Sequence, residues 1–291
     1  MKLFKKYFWA VCVITLACWG IGSLIHNLQL AAQEDEERIA NEARLQKLNI
    51  PRNENGVRYS IGNIGGQRVQ IPPGIVNTWI TYDGDPNDFD FDAKRKYKRP
   101  PASYESSIAQ FGFKFRISDG ALLRLGTQTA VDYQNDSKTL PIPWAYVISS
   151  SGEQYPKGER AALMDVYFKD YVNPTSQAPL TYSGQEYGLD VYRFFGGAAP
   201  PPQSSWEKEE VYVRRDTAGE ITTIIKCANN PNFTVKFCRQ NFYMPRNQMN
   251  AFLGVRYPRA YLPEWQNIEK HTTAIINEFV VKDTSSEANA K

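Results

Sequence analysis

The sequence has little of the equipment that most enzymes use for catalysis. Its 291 residues include two histidines, His26 and His271, and a lone helix histidine more often packs or faces solvent than it catalyses. It has no Gly-x-Ser-x-Gly elbow, no His-Glu-x-x-His motif and no phosphate-binding Gly-x-x-x-x-Gly-Lys loop. We therefore predict a protein that is not an enzyme and holds neither a cofactor nor a metal ion. A hydrolase built on two paired carboxylates stays open as an alternative, since a sequence does not show which acidic residues meet.

A basic surplus is also absent. The formal net charge is +3, and it falls to zero when Lys2, Lys5 and Lys6 are set aside. Because nucleic-acid-binding domains carry a clear positive surplus, we do not expect nucleic acid as a partner. Hydrophobic residues make up 42% of the chain, which is enough for a substantial core beyond the first 50 residues.

One long apolar run stands near the N-terminus. Residues Tyr7 to Ile25 contain no charged side chain, and a helix of about 20 such residues crosses a bilayer core of about 30 Å. Three lysines precede the run, and four acidic residues, at 34–37, follow it. Because lysines favour the cytoplasmic side, we predict a cytoplasmic segment at 1–6, a single transmembrane anchor at 7–26 in a bacterial inner membrane, and a periplasmic domain beyond it.

Two other interpretations of the apolar run remain open. A cleaved signal peptide could end near Leu30-Ala31-Ala32, although signal cores are usually about 7–15 residues long. A lipoprotein could be modified at Cys18, although Leu16 stands where a small residue is preferred. All three interpretations deliver the following domain to the same compartment.

The chain after the anchor divides by composition. Residues 27–50 are rich in Ala, Glu, Leu and Arg and contain no Gly or Pro, which predicts a helical stalk. Residues 51–283 are expected to form one domain, with the Gly- and Pro-rich stretch 196–205 as the candidate boundary between two subdomains. The small, polar tail at 284–291 is predicted to be disordered.

Alternation of apolar and polar residues predicts an antiparallel sheet in this domain. The clearest strand is Phe111–Ile117, in which aromatic and aliphatic residues occupy every second position. Other expected elements are strands at Glu210–Arg215, Glu220–Cys227, Phe233–Phe237, Asn241–Met244 and Ala251–Tyr257, a helix at Ala161–Tyr171, and an amphipathic C-terminal helix with Pro263 at its first position. The predicted fold class is therefore α+β: a transmembrane helix and stalk, then an antiparallel sheet with a few helices.

Cys227 and Cys238 are the cysteines of the globular part, since Cys12 and Cys18 lie in the apolar run. As a metal pair they lack further Cys or His ligands close by in the sequence. An oxidising compartment favours a disulfide between them, and we predict a structural role for it.

An acidic stretch runs from Asp83 to Asp92 and is followed at once by five basic residues, at 94–99. An EF-hand needs Gly at its sixth position and Glu at its twelfth, and neither the register from Asp83 nor that from Asp88 supplies them. A nonstandard calcium site, a solvated loop and an electrostatically steered protein contact surface are the interpretations left. As the candidate partner-binding surface we select Asp83, Asp85, Asp88, Asp90 and Asp92.

Five blocks occur in a particular order along the chain. They are Tyr82–Pro86, Phe111–Arg116, Gly188–Tyr192, Val211–Cys227 with Cys238, and Leu262–Trp265. Together, over about residues 56–281, they resemble a proteobacterial family of membrane-anchored envelope proteins associated with type VI secretion loci. Members of that family are linked to immunity against periplasm-acting effectors such as lipases.

The resemblance implies a non-enzymatic role, in which the domain binds a cognate toxin in the periplasm and blocks it. It implies a protein partner rather than a small-molecule substrate, and it carries no established binding residues to transfer. The alternative is an accessory or adaptor protein of a secretion system that binds an effector without inhibiting it.

Overall fold

The computed structural model divides the chain into two compact units, Met1–Ile50 and Pro51–Lys291. The residues that it describes are 2–75, 80–87, 90–152, 160–173, 180–193, 209–229, 234–245 and 248–282, without the side chains of 2–22, 25, 160 and 161. The stretch at 196–205 and the tail at 284–291 lie outside the described residues, so the subdomain boundary and the disordered tail stay predictions.

The first unit consists of one helix, α1, which runs from Lys2 to Lys47. Its 46 residues correspond to a length of about 69 Å at 1.5 Å per residue. Within the part of the chain that the structure describes, no helix is both long and apolar enough to cross a bilayer. The anchor predicted at 7–26 falls mostly on residues whose side chains are outside that description, so it remains a prediction.

The second unit is built on antiparallel sheet. Its strands are β1 (Ser60–Ile64), β2 (Gln67–Ile71), β3 (Thr81–Tyr82), β4 (Ile108–Arg116), β5 (Trp144–Ser150), β6 (Thr181–Glu186), β7 (Leu189–Arg193), β8 (Glu209–Arg215), β9 (Ile221–Ala228), β10 (Phe237–Tyr243) and β11 (Phe252–Pro258). Its helices are α2 (Phe91–Lys96), α3 (Gln128–Asp136), α4 (Arg160–Val172), a 3-10 turn at Arg259–Glu264, and α5 (Trp265–Glu278). This mixture of helices with antiparallel sheet confirms the α+β fold class.

In the described part of the chain, nine strands form one sheet in the order β3-β4-β5-β11-β10-β9-β8-β7-β6. The first three make a meander, and the last six make a second meander that begins at the far edge and returns to the middle. The two meet where β5 pairs antiparallel with β11, with Val147 opposite Val255. The centre of the sheet is therefore made by residues about 100 positions apart in the chain.

β1 and β2 form a separate hairpin that turns at Gly65 and Gly66, both with positive φ. A Cβ at Gly65 would lie 2.2 Å from the carbonyl oxygen of Asn250. The Asn250 amide donates a hydrogen bond to the Gly65 carbonyl at 2.9 Å, so glycine allows the hairpin to lie directly against the segment before β11.

One face of the large sheet packs against α5. Trp265, Ile268, Thr272, Ile275 and Ile276 are its buried residues, and they recur at spacings of three and four. They join a core that includes the three alternating phenylalanines of β4, at 111, 113 and 115, each of which is 0–1% exposed. The amphipathic stripe thus places the C-terminal helix over the sheet.

The opposite face carries α4 and α3. Met164 and Val172 of α4 pack on Val211, Val213 and Ile224. At the other end of this face, Tyr133 of α3 meets the Trp144 ring edge-on at 5.3 Å. Neither α3 nor α4 covers the middle of this face.

The structure has one strand, β10 (Phe237–Tyr243), where the sequence predicted two separate strands at Phe233–Phe237 and Asn241–Met244. The polar residues between those segments hid the strand in the sequence. Gln240 is fully buried, and its amide oxygen accepts from the Tyr257 hydroxyl at 3.1 Å while its nitrogen donates to Glu269 at 3.1 Å. Because its hydrogen bonds are satisfied, a polar side chain is tolerated in the core.

The predicted disulfide between Cys227 and Cys238 is confirmed. The two residues face each other in the register of β9 with β10, with Cα atoms 4.0 Å apart. Both are fully buried in the core beneath α5, which agrees with a structural role.

A buried ionic network joins β7, β8 and the 3-10 turn. Glu210 is 7% exposed and accepts hydrogen bonds from Arg193 at 3.0 Å, from the Tyr212 hydroxyl at 2.6 Å, from Asn229 at 2.7 Å, and from Arg259. Burial alone would raise the pKa of Glu210, but the hydrogen bonds from Tyr212 and Arg259 and the two arginine charges outweigh it and lower that pKa.

We expect the double substitution Cys227→Ala/Cys238→Ala to lower the free energy of unfolding by about 3 kcal/mol, since it releases a loop with a sequence separation of 11. Urea denaturation followed by circular dichroism measures the change. Wild-type protein reduced with dithiothreitol is the matched control and should unfold at nearly the same urea concentration as the variant. Equal stability of oxidised wild type and variant would contradict the expectation.

We expect Glu210→Gln to destabilise the domain by roughly 3 kcal/mol, because it leaves two arginines facing a neutral group at a buried site. Because the folded pKa of Glu210 lies below its ordinary value, its stabilisation is complete above that ordinary pKa. The stabilisation is lost as the pH falls through the lowered pKa. Thermal denaturation from neutral to acidic pH should show this loss in wild type and a weaker one in the variant.

The control for this experiment is Glu105→Gln. Glu105 pairs with Arg68 at 2.8 Å, and its side chain is 72% exposed, so its loss should cost well under 1 kcal/mol. A loss at Glu210 as small as that at Glu105 would show that the buried network does not hold β7, β8 and the turn together.

Candidate protein-binding groove

A groove crosses the face of the sheet that α4 only partly covers. It consists of two adjoining cavities of about 360 and 460 Å³ that share Tyr171, Arg239 and Arg256 in their walls. The residues that define the groove are Tyr146, Tyr171, Arg239, Asn241, Gly254 and Arg256. It lies over β5, β11, β10 and β9, in the middle of the sheet.

Strand register brings these residues into rows across the sheet. Tyr146 of β5 is opposite Arg256 of β11, which is opposite Arg239 of β10, and Arg239 is opposite Lys226 of β9. Lys114 of β4 lies on the other side of Tyr146. Four cations and one tyrosine therefore cross five adjacent strands on one face, because residues at the same level of an antiparallel sheet point to the same side.

Glycine forms part of the floor. At Gly254 an added Cβ would find the Asn241 side-chain oxygen at 3.4 Å and the Ile148 carbonyl at 4.0 Å, with nothing closer. At Gly112 an added Cβ would come within 3.0 Å of the Tyr146 hydroxyl. The two glycines lie on either side of Ile148 in the register. Because they have no side chains, the groove is deeper at these positions and the Tyr146 ring can lie across β4.

Aromatic side chains from α4 form one wall. Tyr167 stacks on Phe252 with ring centres 5.4 Å apart, and Tyr243 meets Phe252 edge-on at 5.1 Å. The Tyr171 hydroxyl accepts a hydrogen bond from the Asn241 amide at 3.2 Å. Burial raises the pKa of both Tyr146 and Tyr171, so their hydroxyls stay neutral and able to donate at physiological pH.

The cations of the row differ in how far the protein neutralises them. Lys226 pairs with Glu209 at 2.5 Å and lies 4.8 Å from the centre of the Tyr171 ring. Arg256 lies 4.4 Å from the centre of the Phe237 ring. Arg239 is exposed, and within the described part of the chain neither it nor Arg256 has an ion pair with an acidic side chain. Uncompensated positive charge therefore concentrates at Arg239 and Arg256.

The cations at the α3 end are already used inside the protein. Lys114 donates to the Tyr133 hydroxyl at 2.7 Å. Arg116, the next residue on the same face, pairs with Asp119 at 2.7 Å and with Asp132 at 2.9 Å. These contacts fasten α3 to the sheet and engage both cations within the protein.

A separate cavity of about 560 Å³ lies beside α5, on the other side of the sheet. Glu269 lines it, and burial raises the pKa of this carboxyl. Its Oε2 accepts from the Thr223 hydroxyl at 3.0 Å and from the Gln240 amide at 3.1 Å, while Arg214 lies 5.6 Å from the centre of the Trp265 ring. The Glu269 carboxylate is therefore held within the protein by Thr223 and Gln240.

The acidic stretch selected from the sequence is divided by the structure. Asp85 is 3% exposed at its side chain and pairs with Arg99 at 2.6 Å, and it also accepts from the Tyr82 amide at 2.8 Å. Asp90 is the N-cap of α2 and accepts from the Ala93 amide at 2.9 Å. These two carboxylates are held by local structure, and Arg99 supplies the neutralising charge that the following basic run suggested.

The other three aspartates have different positions. Asp83 is exposed, and its carboxylate lies close to Gly152, where an added Cβ would be 2.6 Å from its oxygens. Asp92 is exposed in the first turn of α2, and Asp88 lies outside the described residues. The partner-binding role of this stretch stays a prediction.

Sequence reasoning missed the groove, and the reason is its dispersal. Lys226, Arg239 and Arg256 are separated by more than ten residues each and form no charge run. The pattern that could have identified them is the alternation of side chains along a strand. In β10, Phe237, Arg239 and Asn241 alternate with core residues and therefore share one face of the sheet. That signal is readable only after β10 is recognised as one strand. Among the described residues, no group of three or more His, Cys, Asp or Glu side chains could hold a metal ion.

Comparisons with known proteins give limited further information. No protein-family model matches the sequence, and no curated protein matches it. A structure similar in fold is Smlt3025, an immunity protein of the Stenotrophomonas maltophilia type IV secretion system. It is 14% identical with a TM-score of 0.49, and the match covers 80% of this chain and 99% of that one.

A second similar structure is FrpD, an iron-regulated outer membrane lipoprotein of Neisseria meningitidis. It is 11% identical with a TM-score of 0.40, and the match covers 76% of this chain and 92% of that one. Both TM-scores are below 0.5, so neither likeness decides what this chain does. The immunity protein belongs to a type IV system, so the likeness does not support the type VI association in particular.

Proposed function

We propose that this chain is an envelope-anchored, non-enzymatic protein that binds a secreted effector and neutralises it by direct contact through the groove. The observation that carries the proposal is the groove itself: an open channel in the sheet, walled by tyrosines, with two exposed arginines. The ordered blocks that resemble a family linked to type VI secretion suggest the class of effector, such as a lipase.

The side chains of the groove are those that contribute most at protein interfaces. Tyrosine and arginine are enriched among the residues that dominate binding energy, because each offers a large contact area together with directed hydrogen bonds. Tyr146, Tyr171, Arg239 and Arg256 lie together there, and Gly254 leaves room for a partner side chain.

The groove is also held rigidly before a partner arrives. β10 and β11 lie at the centre of the sheet, and the disulfide at Cys238 lies next to Arg239 in the sequence and on the other face. A rigid surface loses little conformational entropy on binding, which favours affinity. An effector that contacts the groove through its active site or its membrane-binding surface would have that surface covered and would be inactive.

The anchor is part of the proposal. If residues 7–26 cross an inner membrane, residues 27–47 of α1 add about 30 Å of helix on the periplasmic side. A tethered binding domain meets membrane-directed effectors at a raised effective concentration. An effector that attacks periplasmic lipids would then be intercepted at the surface it attacks.

A rescue assay tests the proposal. Each secreted effector encoded beside this gene is directed to the periplasm of a test bacterium, with and without the full-length chain. We expect one effector to be toxic alone and harmless with this protein, and to be recovered with it as a stable complex. A variant that lacks residues 1–26 and carries a cleavable signal peptide is the control for the anchor, and it should protect less at equal abundance.

Two outcomes of the assay contradict neutralisation. If no neighbouring effector is rescued although the protein is abundant, the immunity role is wrong. If a stable complex forms but toxicity persists, the protein acts as an adaptor that presents its effector without inhibiting it.

The substitution Gly254→Val tests the groove directly. The backbone at Gly254 is compatible with any residue and its added Cβ makes only ordinary contacts, so we expect the domain to fold with little change in melting temperature. The larger side chain fills the groove floor and should weaken effector binding by at least tenfold, as measured by isothermal titration calorimetry. The control is Gly219→Asn, in the β8–β9 turn, where an added Cβ meets nothing within 4 Å and where φ is positive, a conformation that asparagine tolerates better than most residues. Undiminished binding by a folded Gly254→Val protein would place the contact elsewhere.

A further inference from the structure

We propose that the groove recognises an acidic segment of its partner, and that a carboxylate of this segment is bound by Arg239 and Arg256 together. The inference rests on the proposed function, because it names the chemistry of the segment that the effector presents.

The cations of the groove are arranged in a way that is unfavourable for folding alone. Arg239 lies directly opposite Arg256 on one side and directly opposite Lys226 on the other. Like charges directly opposite each other on neighbouring strands destabilise a sheet. Three consecutive strands thus hold cations at one level, and a bound anion would relieve their repulsion.

The acid beside these cations, Glu209, is already engaged. Glu209 pairs with Lys226 at 2.5 Å, with Lys226 also close to the Tyr171 ring. This pair accounts for the charge of Lys226 alone. Across the ranges that the structure describes, Arg239 and Arg256 have no comparable acidic partner, so both can pair with an acidic group of another molecule.

The Phe237 ring orients the guanidinium of Arg256. Arg256 lies over the Phe237 ring at 4.4 Å, and such stacking limits how the guanidinium can turn. A guanidinium held in this way can present its N–H groups to a carboxylate in parallel, which gives strong and directional hydrogen bonds. The neutral hydroxyl of Tyr146, opposite Arg256 in the register, can donate to the same segment.

The apolar side chains that line the groove favour a protein segment over other anions. The groove combines its two arginines with the tyrosines of α4, with Phe252 and with Ile148, so it suits a segment that carries apolar side chains beside its acidic ones. A nucleic acid would need a broad basic surface, but the net charge is zero without the three N-terminal lysines. The occupant we commit to is therefore an acidic protein segment with aromatic or aliphatic neighbours.

The experiment uses the full-length chain in a mild detergent and a defined probe, a random copolymer of glutamate and tyrosine. The variant is Arg239→Gln/Arg256→Gln, which removes two charges and relieves cross-strand repulsion, so it should fold at least as well as wild type. The matched control is Lys270→Gln/Lys282→Gln, which removes two exposed lysines outside the groove. We expect wild type and control to bind the copolymer equally and the arginine variant to bind at least tenfold more weakly, by fluorescence anisotropy.

The matched lysine–tyrosine copolymer and vesicles of phosphatidylglycerol complete the test. Any binding of these two probes should be the same for wild type and for Arg239→Gln/Arg256→Gln. Binding to the vesicles that the arginine variant loses, without binding to the glutamate–tyrosine copolymer, would overturn the inference in favour of an anionic lipid. Equal binding of the copolymer by wild type and arginine variant would overturn it as well.

The same variant separates this inference from the proposed function. If Arg239→Gln/Arg256→Gln binds the effector and rescues cells as wild type does, the acidic-segment inference is wrong while neutralisation stands. If wild type rescues cells from no effector but binds the copolymer through both arginines, neutralisation is wrong while the chemical preference of the groove stands.

Discussion

The register of β10 between β9 and β11 is the constraint on which the rest of the domain depends. It sets Cys238 opposite Cys227 on the side of α5, where the disulfide forms within the core. By the strict alternation of a strand it also sets Arg239 on the other side, between Lys226 and Arg256. A slip of one residue would exchange the two faces, so the packing that fixes the core fixes the basic row as well.

Function thereby draws on the same interactions that hold the fold together. The central strands are the part of a sheet least free to move, and a surface on them changes little when a partner binds. The ionic contacts of Arg116 fasten α3 to the sheet, and those of Glu210 hold β7 and β8 together. In the described part of the chain, Arg239 has no such ion pair, so its charge is left uncompensated on the rigid central strands. A row of like charges costs stability, so its presence at the centre of a stable sheet is expected when the charges are needed to bind a partner.

Much of the fold was predictable from local pattern, and the groove was not. The alternation in β4 and the stripe of α5 are properties of one segment each, and the two cysteines have no other partner in the globular part. The groove depends on which strands become neighbours, and β5 meets β11 across about 100 residues. The acidic stretch shows the converse: its charge is dense in the sequence, yet Asp85 is paired with Arg99 and Asp90 caps α2. Charge density along a chain does not report which charges remain unpaired after folding.

The most direct test of the groove as the contact surface is hydroxyl-radical footprinting of the full-length protein, free and in complex with the effector that it neutralises. Tyr146, Tyr167 and Tyr171 report on the groove, while Phe91 and Tyr97, which are 73% and 37% exposed, report on the segment around the acidic stretch. The account predicts that oxidation of the three tyrosines falls in the complex while that of Phe91 and Tyr97 is unchanged. Protection of Phe91 and Tyr97 with unchanged oxidation of the groove tyrosines would contradict it and restore the acidic stretch as the binding surface.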